Sequence, residues 1–131
     1  MASAIGILRL VDAISARLSP RKVILFGSHA YGMVTPDSDV DLLVVTQRQR
    51  NWRAHAAHIR QSIPIDFPLD LLIRTASEID RRIRFNDFFL KEATEKGIVL
   101  YAADDARMGE KGRRRLRRRL ASLEVPQAQS V

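Results

Sequence analysis

Two aspartates one residue apart, Asp39 and Asp41, stand at the head of the aliphatic run Leu42-Leu43-Val44-Val45. Residues two apart in a strand project from the same face, so these carboxylates can share a metal ion. Upstream, Val23-Ile24-Leu25-Phe26 is an unbroken apolar run that reads as a strand buried on both faces and ends in Gly27-Ser28. A chain leaving a strand through glycine can turn tightly, bring its N–H groups up to an anion and add the serine hydroxyl as a further donor. Gly32 lies at the far side of that turn. Carboxylates for a cation beside donors for an anion suit a metal-bound triphosphate.

Rival readings of the stretch fail on single residues. The spacing Gly27 to Gly32 fits the start of a Walker A loop, but Met33-Val34 stand where Lys and Ser/Thr are required. Asp37, Asp39 and Asp41 mimic the opening of an EF-hand loop, yet Leu42 replaces the turn glycine and Arg48 the bidentate glutamate. Plain surface turns would account for Gly-Ser and Pro36-Asp37-Ser38, but a carboxylate leading straight into Leu-Leu-Val-Val is costly without a partner. A third carboxylate has two candidates, Asp66 and Asp70, four apart in a segment read as a strand over Ile65–Ile73. Pro64 and Pro68 disfavour regular pairing around Asp66, whereas Asp70 sits deeper, among Leu69, Leu71 and Leu72.

Around these residues the periodicity supplies supporting elements. Ile5, Leu8, Val11, Ile14 and Leu18 predict an amphipathic helix over 3–18, stopped by Pro20. A short helix is expected through Ala30 and Tyr31, with His29 as a variable turn position within it. Trp52, Ala56 and Ile59 predict a helix over 48–60, whose His55 and His58 read as solvated and whose Arg48, Arg50 and Arg53 are candidate pyrophosphate or partner contacts. Arg21 and Lys22 read as solvated residues flanking a strand. Thr75-Ala76-Ser77-Glu78 has capping-box spacing, and Asn86 is the expected N-cap of a helix that carries Phe88 and Phe89 into the core and stops at Gly97. Ile98–Tyr101 closes the set as a strand. The sum is an α/β (α+β), two-layer domain with a mixed sheet packed by helices.

At 131 residues and 46% hydrophobic composition the chain can bury one core, hence one domain. It contains no cysteine. Disulfides and thiolate metal sites are therefore excluded, and a reducing cytoplasm is the expected setting. Arg9, Asp12 and Arg17 interrupt the N-terminal apolar residues, so neither a signal peptide nor a membrane span is expected. The net charge of +7 is uneven: residues 1–106 hold 14 basic against 13 acidic residues, and residues 107–131 hold 8 against 2. The chain thus reads as a domain over 1–103 followed by a basic, flexible tail over 104–131. With two leucines one helical turn apart, the tail is not expected to bury a core, and its partners would be nucleic acid or an acidic protein.

Gly27-Ser28-x-Ala30-x-Gly32 followed by Ser38-Asp39-Val40-Asp41-Leu42-Leu43-Val44 resembles the signature of the minimal nucleotidyltransferases of the DNA polymerase β superfamily. Leu69-Asp70-Leu71-Leu72 is similar to the strand carrying that family's third carboxylate, which selects Asp70 over Asp66. Phe88 to Glu92 and Glu95 to Tyr101 resemble its closing helix and strand, so the likeness covers roughly residues 2–102. The resemblance implies transfer of a nucleoside monophosphate, AMP from ATP, to an acceptor hydroxyl. Two Mg2+ ions on Asp39, Asp41 and Asp70 and a nucleotide held by Gly27, Ser28, Gly32 and Ser38 belong to that implication. Small members resemble antitoxins that adenylylate a HEPN-domain ribonuclease toxin, and the shortness of this chain favours a protein acceptor over the small drug of the longer aminoglycoside enzymes. The competing class is a non-catalytic module that neutralises a partner by contact, for which clustered carboxylates would be needless.

Overall fold

A computed structural model describes residues 2–47 and 51–129, with side chains through residue 121. Its first helix, α1 (Ala4–Leu18), is capped by Ser3, whose hydroxyl accepts from the Gly6 N–H at 3.0 Å. The helix buries Ile7, Leu8, Leu10, Val11 and Ile14. Ile5, expected on the core face, is 66% exposed. Each three-residue step falls roughly 60° short of a full turn, so a stripe read backwards in threes from Ile14 has left the core face by Ile5.

Four strands follow in a mixed sheet: β1 (Lys22–Phe26), β2 (Val40–Thr46), β3 (Leu69–Thr75) and β4 (Ile98–Ala102), in the order β3-β2-β1-β4. β1 is antiparallel to both neighbours, and β2 and β3 are parallel. That parallel pair needs a crossover, which α3 (Trp52–Ser62) provides. The short α2 (Ser28–Tyr31) joins β1 to β2. α4 (Ala76–Arg84) and α5 (Phe88–Lys96) join β3 to β4, and α6 (Ala106–Gln129) follows. The expected α/β class with a mixed sheet is the observed one. α3 starts at Trp52, and Arg48 and Arg50 lie outside the described residues.

Alternation along the strands sorts side chains to two faces. Val23, Leu25, Leu42, Val44, Leu71, Ile73 and Leu100 pack with α1, α3 and α6, while Ile24, Phe26, Leu43 and Val45 pack with Ile79 of α4 and Leu90 and Ala93 of α5. The capping box of α4 is complete: Thr75 accepts from the Glu78 N–H, and Glu78 accepts from the Thr75 N–H, each at 3.1 Å. The cap of α5 is Asp87, whose carboxylate accepts from the Leu90 N–H at 3.1 Å, and not the expected Asn86. Asn86 instead takes the left-handed turn at φ 65, which asparagine tolerates, and the anionic Asp87 sits at the positive helix end. Phe88 and Phe89 are not core: they are 73% and 55% exposed, because a nine-residue helix lying on the sheet through Leu90 and Ala93 turns its first residues outward.

The basic segment also departs from expectation. Far from being a separate tail, residues 106–121 dock as α6, with Leu116 and Leu120 fully buried in the larger cluster. Gly109 and Gly112 precede them on the same face, and a Cβ on Gly112 would run into the Val99 carbonyl. The absence of side chains lets the helix lie directly on β4. Arg113 fixes the contact: its Nε donates to the Leu100 carbonyl at 3.0 Å and its Nη2 to Asp12 at 2.7 Å. At the opposite edge of the sheet, Arg60 Nη2 of α3 donates to the Leu69 carbonyl at 2.9 Å. Lys111, Arg114, Arg115, Arg117 and Arg118 remain exposed on α6. Among the described residues no helix is long and apolar enough to cross a membrane.

Candidate active site

β1 carries the chain to Gly27, and antiparallel pairing sets Asp41 opposite Phe26, one residue before that turn. β3, parallel to β2, brings Asp70 directly beside Asp41. Asp39 precedes β2 by one residue, so Asp39 and Asp41 lie on one side of the chain as their spacing predicts. Through Leu43, Leu72 and Phe26, this is the face covered by α4 and α5. Asp39 and Asp70 are exposed and Asp41 is half-buried. Asp70 is thus not as deep as its leucine neighbours suggest, because it stands near the start of an edge strand.

Electrostatics tie the three carboxylates together. Burial, then the charge of Asp70, then that of Asp39 push the Asp41 carboxyl up to about 6 from 3.8. A cation relieves that repulsion, and hard oxygen donors suit magnesium. Among the described residues no group of three or more His, Cys, Asp or Glu side chains is arranged to hold a metal ion. An open set fits the ion all the same, since magnesium takes one or two carboxylates and completes its octahedron with water and substrate phosphate oxygens.

Beside the carboxylates, Gly27 adopts φ 73, and a Cβ there would overlap the Asp41 carboxylate. Glycine is therefore required both by the turn and by the acid next to it. The N–H groups of Ala30 and Tyr31 donate to the Gly27 carbonyl, and those of Gly32 and Met33 to the Ser28 carbonyl. The Ser28 and His29 amides precede these closures and take no partner from them. Ser38 is engaged within its own loop, where its hydroxyl accepts from the Thr35 N–H at 2.8 Å. The remaining sequence candidates lie elsewhere. Asp66 is exposed in the loop before β3, beside Arg9 and Phe67. Arg53 and Arg74 stack on Trp52 at 5.0 and 4.3 Å from the ring centre. Arg74 pairs with Val45, as does Lys22, at the end of the sheet opposite Asp41. His55 and His58 are exposed on α3.

One residue was hidden from sequence reasoning. His29 is completely buried, and its Nδ1 lies 3.0 Å from the Asp39 carbonyl. A carbonyl only accepts, so Nδ1 carries the proton; Nε2 is buried without a partner among the described residues. Burial lowers the imidazole's pKa, with the Asp39 hydrogen bond opposing, so the ring is neutral. His29 thereby ties the glycine turn to the loop that carries Asp39.

The nucleotidyltransferase domain family model matches residues 7–103. A crystal structure of a candidate nucleotidyltransferase from Sulfolobus solfataricus superposes with a TM-score of 0.54 at 17% identity, covering 78% of this chain and 82% of that one. No protein of curated function matches.

Proposed function

Because this chain belongs to the nucleotidyltransferase domain family, we propose that it moves AMP from ATP to a hydroxyl on a partner protein and releases pyrophosphate. The observation that carries the reading is the strand register: Asp41 lies between Phe26, which leads into the glycine turn, and Asp70, with Asp39 two residues upstream. An anion held by the turn and a cation held by the carboxylates would meet at the same strand ends.

In this mechanism Asp39 and Asp41 would hold the metal ion that accompanies the triphosphate, and Asp70 would serve the attacking side. A pair of magnesium ions bound there would polarise the α-phosphate and stabilise both the attacking and the leaving oxygen of an in-line displacement. Asp70, exposed beside Asp41, would accept the proton of the acceptor hydroxyl. The Ser28 and His29 amides and the Ser28 hydroxyl face the charge that develops on pyrophosphate. His29 keeps the two halves in register.

A protein acceptor is supported by the aromatic side chains exposed around the start of α5, of which Phe89 touches Phe26, the strand partner of Asp41. Phe89 meets Phe26 edge-on with ring centres 5.2 Å apart, and Phe85, Phe88 and Phe89 are 80%, 73% and 55% exposed. Exposed aromatics at the rim of a site suit docking of a large apolar partner, such as the HEPN-domain toxin that the family resemblance implies. Purified protein incubated with magnesium, α-labelled nucleoside triphosphates and a purified HEPN-domain toxin should label the toxin from ATP alone. Label appearing from all four nucleotides refutes the choice of AMP. No label on the toxin, with transfer to a small alcohol or aminoglycoside retained, refutes the protein acceptor.

A further inference from the structure

The Gly32 end of the turn is covered by a side chain from the far end of the sequence. The atom nearest to where a Gly32 side chain would begin is Arg119 Nη1 of α6, at 3.0 Å. With φ 82 and no Cβ, Gly32 lets that guanidinium lie against the turn itself. Arg115, one helical turn earlier, lines the same open cleft of about 620 Å³ with Tyr31 and Arg119. Residues four apart share a helix face, and this face is anchored, because Leu116 and Leu120 beside it are fully buried. The two guanidinium groups are thus brought to the turn by a docked helix.

We propose that the nucleotide's polyphosphate tail is held from two sides, by the Gly27–Gly32 turn and by Arg115 and Arg119 of α6. The proposal rests on the nucleotidyltransferase reading above and adds the part of the molecule that reads the β- and γ-phosphates. Arginine suits the task, since its planar donors match phosphate oxygens two at a time and stay charged at any working pH. Because pyrophosphate gains charge as it leaves, the same contacts act on the leaving group. Selectivity follows: triphosphates and inorganic pyrophosphate are ligands of this half of the site, whereas a monophosphate does not reach it. Glu92 and Glu95 of α5 line the opposite wall and are the rival partners. Were they the only ones, Arg115 and Arg119 would merely strap α6 to α5.

Calorimetric titration of the full chain with ATP, inorganic pyrophosphate and AMP in magnesium separates the two roles. Arg119→Ala should weaken ATP and pyrophosphate about tenfold to a hundredfold and leave AMP unchanged, and Arg119→Lys should recover part of the loss. Arg115→Ala should act in the same direction. Glu92→Gln with Glu95→Gln should keep or tighten pyrophosphate binding. Unchanged affinities in Arg119→Ala overturn the proposal. So does a melting temperature that falls equally in the arginine and glutamate variants together with a uniform loss for all three ligands, which is the signature of a strap. Wild-type protein that binds neither ATP nor pyrophosphate overturns the underlying reading instead.

Discussion

Asp41 is the residue at which chemistry and stability pull apart. Its carboxyl, pushed up to about 6 by burial, Asp70 and Asp39, holds its proton in the fold at pH values where the unfolded chain, near 3.8, has lost it. The native state therefore binds more protons between those values, so this contribution is fully present below about pH 4 and is lost as pH rises through about 6. Asp41→Asn should abolish the fall and stabilise the metal-free protein at pH 7 by about 1–2 kcal/mol, the full linkage being reduced by solvent around a half-exposed group. Melts from pH 4 to 8 test this. Magnesium should raise the melting temperature of the wild type but not of the variant, and transfer by the variant should fall roughly a hundredfold or more. Asp70→Asn should also inactivate, and Asp66→Asn should leave turnover near wild type; the reverse ranking would move the proton acceptor to the loop. His29→Ala should cost about 2 kcal/mol and lower kcat, whereas His29→Asn, which keeps a donor for the Asp39 carbonyl, should restore much of the kcat. A variant that loses stability with kcat unchanged would leave His29 as core and nothing more. That Gly27 makes the turn beside Asp41, with Asp39 on the same side, was legible in the sequence because a tight turn favours glycine and residues two apart in a strand share a face. His29 was not, since a side chain bonded to a carbonyl ten residues away leaves no local pattern.

Among the elements, α6 offers a matched pair of glycines. In a helix interior Gly→Ala gains about 1 kcal/mol from propensity alone, and at Gly109 the nearest atoms to a new Cβ are at 3.5 Å, an ordinary contact. Gly109→Ala should therefore raise stability. At Gly112 the new methyl would overlap the Val99 carbonyl, which is strand backbone and cannot step aside, so Gly112→Ala should lose about 2 kcal/mol or more despite the same propensity gain. Denaturant midpoints for the two variants should move in opposite directions; equal shifts would mean that α6 does not sit on β4 as described. Strand runs and the Thr75 box were readable because each follows from a local rule. The outward turn of Phe88 and Phe89 was not, because a two-residue aromatic pair has no phase until the rest of α5 finds the sheet.

For the whole molecule, the decisive difference between the sequence and the fold is the status of residues 106–121. Leu116 and Leu120 are 0% and 1% exposed, and burying two leucines is worth roughly 1.5–3 kcal/mol each, a large share of the 5–15 kcal/mol that about spans domain stabilities. Deleting residues 104–131 should therefore unfold or severely destabilise the protein, as far-ultraviolet circular dichroism would show; a truncated chain with a wild-type melt would restore the flexible tail. The arginine-rich stretch hid this because its leucines meet a surface that β4 completes only together with α1, which lies about a hundred residues earlier in the chain. The two guanidinium caps on the sheet edges have a further consequence. Val40 N–H donates to the Pro68 carbonyl, so the alternate Leu69 carbonyl points outward on β3, where Arg60 takes it, and Arg113 takes Leu100 on β4. A sheet open at both sides invites strands of other copies, and each arginine occupies an acceptor that such a strand would need while adding a charge to repel it.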